Sequence, residues 1–204
     1  MAPAALQVQG LHFAYAGEPP LFSALGFTLG AGVHRLDGES GSGKTTLLCL
    51  LAGGLPFGGD CRLSGLSPTT DAAAWAKAVC FVDARNEAFD ALTPAALMAQ
   101  VRLTHPQLDE AAWQAHVDGF GLAPHAFKTL HMMSTGMRRK AALAAVLAAG
   151  AALTLLDEPL AGLDAPAIAH LVQALNAQPG IVLMVSGVWP AGLVLAGQVA
   201  LGQA

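Results

Sequence analysis

Apolar and polar residues alternate with a period of two in Leu6-Gln7-Val8-Gln9-Gly10-Leu11-His12-Phe13, which predicts a strand buried on one face. The turn-forming run Ala16-Gly17-Glu18-Pro19-Pro20 leads to a second predicted strand over 22–29, so a hairpin opens the chain. Farther on, alternation gives way to short runs dominated by apolar residues, at 33–36, 79–82, 152–156 and 181–185, which read as buried strands. A helical pattern begins at Thr46 and stops at the breaker cluster 53–60, which hands over to a short strand at 61–63. Asp71 is placed to cap a helix running through Lys77. From Arg85 to about Thr135 the strand pattern ceases. Thr93-Pro94 and Asp109-Glu110 open helices there, and 119–124 breaks the pattern, so a helical insertion separates two strands of one sheet. Ser134 precedes an alanine-rich helix, Asp164-Ala165-Pro166 starts another to about Leu175, and 193–201 reads as a closing hairpin around Gly197-Gln198.

A chain of 204 residues suits one α/β domain with a full core and a small subdomain. Its 54% hydrophobic content raises the question of membrane spans. Gly150 splits the apolar stretch 141–156, and Pro190 with Gly180, Gly187, Gly192 and Gly197 cuts 181–201 into strand-sized pieces, so no transmembrane helix is expected. Beyond Asp164 there is no Asp, Glu, Lys or Arg, and such a chain end is expected to pack on its own sheet or on a partner. The net charge of −4 and a single cationic cluster, Arg138-Arg139-Lys140, argue against nucleic acid as a partner. Cys49, Cys61 and Cys80 lack metal-binding spacing and read as reduced core residues. The opening Met1-Ala2-Pro3-Ala4-Ala5 has neither the basic nor the apolar region of a signal peptide, and a cytoplasmic protein is expected.

The candidate chemistry begins at Gly38-Glu39-Ser40-Gly41-Ser42-Gly43-Lys44-Thr45-Thr46, between a predicted strand and a predicted helix. Gly38, Gly41 and Gly43 allow a turn tight enough to aim successive backbone N–H groups at a phosphate, and the following helix adds its positive end. Lys44 can then reach the β- and γ-phosphates while the Thr45 hydroxyl ligates Mg2+, which makes this a nucleoside triphosphate site. The strand 152–156 ends in Asp157-Glu158-Pro159, and strand, loop, helix, strand and carboxylates in this order put Asp157 beside the phosphate loop, near the magnesium ion. Tyr15, the single tyrosine, follows the first strand, where an exposed ring could stack on a base.

Taken together, these features resemble the ATP-binding cassette ATPases of ABC transporters over nearly the whole chain. Tyr15 matches the adenine-stacking aromatic, residues 38–45 the Walker A motif and 153–158 the Walker B motif. Met133-Ser134-Thr135-Gly136-Met137 stands where the family has its LSGGQ signature, and Ala161-Gly162-Leu163-Asp164 stands at the D-loop. The resemblance implies a P-loop α/β core (about 1–84 and 150–204) with a parallel sheet and an N-terminal antiparallel β subdomain, and a helical subdomain (about 85–149) inserted in it. It implies ATP and Mg2+ as ligands, held by Tyr15, Gly38, Glu39, Ser40, Gly41, Ser42, Gly43, Lys44, Thr45 and Thr46, with Thr45 and Asp157 on the metal. Glu158 becomes the general base and Lys44 the other catalytic group. In a head-to-tail dimer of two such chains, or of this chain and a different cassette, Ser134 and Gly136 would complete the partner's site.

Two positions depart from the family. Alignment from Phe81 puts Ala84 at the Q-loop glutamine, and alignment from Val182 puts Gly187 at the H-loop histidine; neither His131 nor His170 is an obvious substitute. The expectation is therefore an ATP-binding subunit with slow or conditional hydrolysis, peripheral on the inner face of the cell membrane, energising a separate polytopic permease. Export is the expected direction. The alternative is a degenerate cassette that mainly holds ATP and lends its signature to a partner ATPase. By the same resemblance a coupling groove for the permease is expected around 84–92, where Phe89 and Leu92 flank Asp90.

Overall fold

The computed structural model describes residues 5–83 and 89–202. Strand β1 (Leu6–Phe13) pairs antiparallel with β2 (Phe22–Leu29), Leu6 facing Leu29 and Phe13 facing Phe22, as the alternating pattern anticipates. After β3 (Gly32–Asp37) and α1 (Lys44–Leu51), strand β4 (Gly58–Leu63) returns to the other edge of β1 and completes a three-stranded sheet. This strand begins inside the breaker cluster, earlier than residue 61, because Gly58 and Asp60 pair with His12 and Gln9. Gly59 permits the approach: its φ is +96°, and a Cβ there would lie 2.5 Å from the Gly10 carbonyl oxygen.

The larger sheet has the order β5 (Val79–Val82), β6 (Leu153–Asp157), β7 (Ile181–Val185), β3 and β8 (Leu195–Ala200), and its pairings are parallel. Strands β6 and β7 are buried at every residue, and both faces carry core. Ile181, Leu183 and Val185 point toward β1, α1 and Trp75, whereas Val182 and Met184 point into a second core with the helices. This two-sided burial is why parallel strands read as unbroken apolar runs.

The predicted closing hairpin does not form. Residues 195–200 run as one strand, with Gly197 and Gln198 beside His34 and Arg35 of β3. Gly197 serves close packing instead of a turn: a Cβ there would lie 3.1 Å from Nδ1 of the buried His34.

Helices α2 (Ala72–Ala78), α3 (Pro94–Thr104), α4 (Glu110–Gly119), α5 (Thr135–Ala148) and α6 (Ala165–Asn176) complete the fold, with α3, α4 and α5 lying between β5 and β6. The side chains of Thr93, Asp109, Ser134 and Asp164 accept backbone N–H bonds at the starts of α3 to α6. Asp71 precedes α2 but makes no such cap, contrary to expectation. Its carboxylate turns back to accept from the Thr70 hydroxyl at 2.7 Å and the Ser67 N–H at 3.1 Å, and these bonds, the hydroxyl's first, hold its pKa below the ordinary 3.8. Cys61 and Cys80 are buried; burial pushes both thiols up to about 12, aided at Cys61 by the Asp60 charge, which keeps them protonated. Among the described residues no helix is long and apolar enough to cross a membrane.

Candidate nucleotide site

The C-terminal ends of β3, β6 and β7 open on one cleft of about 900 Å³. Tyr15, Glu18 and Pro19 line one part of it, the 38–46 loop another, and Asp157, Glu158, Ser186 and Gly187 the rest. The position follows from the topology, since loops leaving the carboxyl ends of parallel strands surround the crevice where ligands bind. Within the loop Gly41 and Gly43 adopt φ of +85° and +91°. At Gly43 the geometry admits no other residue comfortably, because a Cβ would lie 2.8 Å from the Phe22 ring. Gly43 is also the N-cap of α1 and has no side chain to offer its first turn, which leaves the N–H groups of that turn for a ligand. At Gly38 a Cβ would fall 2.3 Å from Ser42 Oγ, an oxygen that is itself buried without a hydrogen-bond partner.

Lys44 arches back over this loop and donates from Nζ to the carbonyls of Gly38 and Glu39, each at 2.7 Å. Next to it the Thr45 hydroxyl donates to Asp157 Oδ2 at 2.7 Å, a bond that spans 112 positions of sequence. Asp157 ends β6 and is only 5% exposed, and the hydrogen bond from Thr45 offsets part of the cost of burying its carboxyl group. Tyr15 OH lies 3.0 Å from Thr46 Oγ1, and its ring, half exposed, meets Phe13 edge-on at 4.9 Å between centroids.

Glu158 has an unusual backbone. Its φ of +46° places a non-glycine residue in the left-handed region, where its N–H donates to the Val185 carbonyl at 2.9 Å. The Gly187 N–H in turn donates to Glu158 Oε2 at 3.1 Å. A Cβ at Gly187 would lie 4.0 Å from Glu158 Oε1, so the position expected to hold a histidine sits directly against the carboxylate.

The structure thus brings Tyr15, Gly38, Ser40, Gly41, Gly43, Lys44, Thr45, Thr46, Asp157 and Glu158 to one cleft; in the same loop Glu39 is exposed and accepts from Lys44 through its carbonyl, and Ser42 turns its hydroxyl inward. Ser134 and Gly136 lie elsewhere, at the start of α5, where Ser134 is exposed and its Oγ accepts from the Met137 N–H at 3.3 Å. Ala84 lies outside the described residues, while Phe89 is partly exposed. His131 contacts Thr129, and His170 contacts His116 and Phe120; neither borders the cleft. Sequence reasoning missed the main-chain role of Gly187 and the cleft-lining Glu18, because a backbone N–H and a turn residue leave no motif.

A model of the family described as ABC transporter matches residues 23–161. The nickel import ATP-binding protein NikO of Rhodobacter capsulatus is 35% identical over 88% of this chain and 75% of its own length. The cytochrome c biogenesis ATP-binding export protein CcmA of Bordetella bronchiseptica is 36% identical over 86% of this chain and 78% of its own. An ATP-binding subunit of an ABC transporter superposes with a TM-score of 0.81 at 21% identity, covering 89% of this chain and 79% of that one, and supports the fold alone. The cleft geometry, the family match across most of the chain and relatives of this closeness lead to one conclusion: the chain belongs to the ABC transporter family, as one of its nucleotide-binding domains.

Proposed function

We propose that the chain binds ATP with Mg2+ in the cleft around Lys44, pairs head to tail with a second cassette, and hydrolyses ATP slowly to energise a separate membrane permease. The observation that carries the reading is the 2.7 Å bond between Thr45 and Asp157, which sets a hydroxyl and a carboxylate side by side next to the phosphate loop. Those two oxygens fit Mg2+, which prefers hard oxygen donors, and the partnerless Ser42 Oγ and the glycine cradle fit phosphate. Thr45 and Asp157 would hold the ion, which would supply positive charge to offset that of the phosphate oxygens. Lys44 supplies a mobile cation within reach of the same oxygens, α1 directs its N-terminal dipole at them, and Tyr15 offers a ring face to the base. Glu158 orients and deprotonates water at Oε1 or Oε2.

Residues 1–84 and 150–204 act in this reading as the nucleotide-binding core and 85–149 as the helical part, whose exposed Ser134 with Gly136 meets the phosphates held by the paired cassette. The partner is a second copy or a different cassette. The permease places the chain on the cytoplasmic face of the cell membrane, and the described residues 89–92, with the exposed Phe89, border the coupling groove. Export is the direction we favour, supported by relatives named for cytochrome c biogenesis export; the relative named for nickel import is the opposing precedent.

A second reading is favoured by one feature, Gly187 at the H-loop position, whose N–H engages Glu158 where the family has an imidazole. Loss of a contact to the transferred phosphate removes on the order of 2–4 kcal/mol of transition-state stabilisation, enough to leave a cassette that binds ATP and barely turns it over. Steady-state hydrolysis by purified protein separates the readings. A rate that Glu158→Gln abolishes and Gly187→His raises supports the enzyme; tight ATP binding with no rate supports the ATP-holding subunit.

A further inference from the structure

The basic triplet that gives the chain its single cationic cluster lies outside the cleft, from the end of the first turn of α5 into the second, and its side chains grip two other segments. Arg138 Nη1 bonds Asp90 Oδ2 at 2.8 Å, Arg139 Nη1 donates to the Ala161 carbonyl, and Lys140 Nζ bonds Asp164 Oδ2 at 2.9 Å. Lys140 is nearly covered, its side chain 12% exposed.

The segments they hold are the ones that matter. Ala161 to Asp164 follows Glu158 directly, and the Ala161 N–H donates to the Glu158 carbonyl at 3.2 Å. Gly136 lies so close to this loop that a Cβ on it would come 2.3 Å from the Gly162 carbonyl oxygen. Asp90 belongs to the turn before α3, which the chain also ties to residues 130–131 through main-chain bonds from the Leu130 and His131 N–H groups to the Leu92 and Asp90 carbonyls, both 2.8 Å.

We infer that Arg138, Arg139 and Lys140 are positioning residues that fasten the signature turn, with Ser134 and Gly136, to the loop behind Glu158 and to the Asp90 turn. The spacing between the surface presented to a paired cassette and the chain's own carboxylates is fixed by this fastening, with Lys140 its most buried side chain. The inference rests on the paired-cassette reading for its functional consequence, though the fastening itself is a property of the single chain.

The test uses the full chain and two readouts. In the ATP-free protein, hydrogen exchange of the 161–164 amides should quicken about two- to fivefold in Lys140→Gln, the scale of losing a partly exposed ion pair, and return to the original rate in Lys140→Arg. In a Glu158→Gln background, Lys140→Gln should leave ATP affinity of the single chain within about twofold while weakening ATP-driven pairing by a factor similar to the exchange change, again rescued by arginine. Unchanged exchange at 161–164, or a loss of ATP affinity parallel to the loss of pairing, overturns the inference. If the Glu158→Gln parent binds ATP without pairing, the paired-cassette reading fails, and the exchange measurement decides the fastening alone.

Discussion

Glu158 is held at φ +46°, and two substitutions isolate what that conformation costs. Glu158→Ala and Glu158→Gly both delete the carboxylate and its bond from the Gly187 N–H, so they differ only in backbone freedom. Alanine in the left-handed region costs about 1–2 kcal/mol, which glycine avoids. Glycine in turn loses about 0.4–1 kcal/mol more chain entropy on folding. The difference, centred at about 0.8 kcal/mol, leaves the glycine variant more stable than the alanine variant, the reverse of the order at a helical position, where Ala115→Gly in α4 should lose about 1 kcal/mol. Urea denaturation of the four proteins measures this, with stability taken from midpoint and slope. Neither Glu158 variant should hydrolyse ATP, so the expected pattern is strain relieved at the expense of turnover. An alanine variant as stable as the glycine variant, or more so, would refute the claim that the fold holds this residue under strain.

Thr45→Val keeps the shape but removes the donor to Asp157, leaving a buried carboxylate unpaired; urea denaturation should show a loss of about 1–3 kcal/mol, and magnesium-dependent ATP affinity should fall about tenfold or more. His116 and His170 lie 3.1 Å apart between α4 and α6, and burial, joined at His116 by the charge of His170, holds both below the ordinary 6.5. The folded chain therefore keeps them neutral while the unfolded chain takes up protons, so stability is full above 6.5 and declines as pH falls from there through the folded values. Thermal unfolding across pH 8 to 5 should show about that decline in the native chain and a shallower one in His170→Phe; equal slopes would contradict the assignment.

The parallel sheet was legible because β6 and β7 are buried on both faces, which writes nearly continuous apolar runs into the sequence. The phosphate loop was legible because its glycines answer to geometry: Gly43 against Phe22 and Gly38 against Ser42 leave no space for a side chain. Glycine misled at β8 for the same reason in another setting, since Gly197 makes room for His34 within a strand and pattern alone reads it as a turn. Asp71 misled because a carboxylate before a helix can bond forward or backward, and Thr70 and Ser67 capture it. Residues that act through the main chain, such as Gly187, or across distant segments, such as Lys140 with Asp164, carry no local signal.

Calorimetric titration of ATP with Mg2+ into the native chain and into Lys44→Ala tests the central claim most directly. Lys44 is poised over the loop by two 2.7 Å bonds, and loss of a charge-assisted contact of about 1.5–3 kcal/mol should weaken binding roughly ten- to hundredfold without unfolding the protein. Equal affinity in the two proteins would contradict the placement of the triphosphate in this cleft.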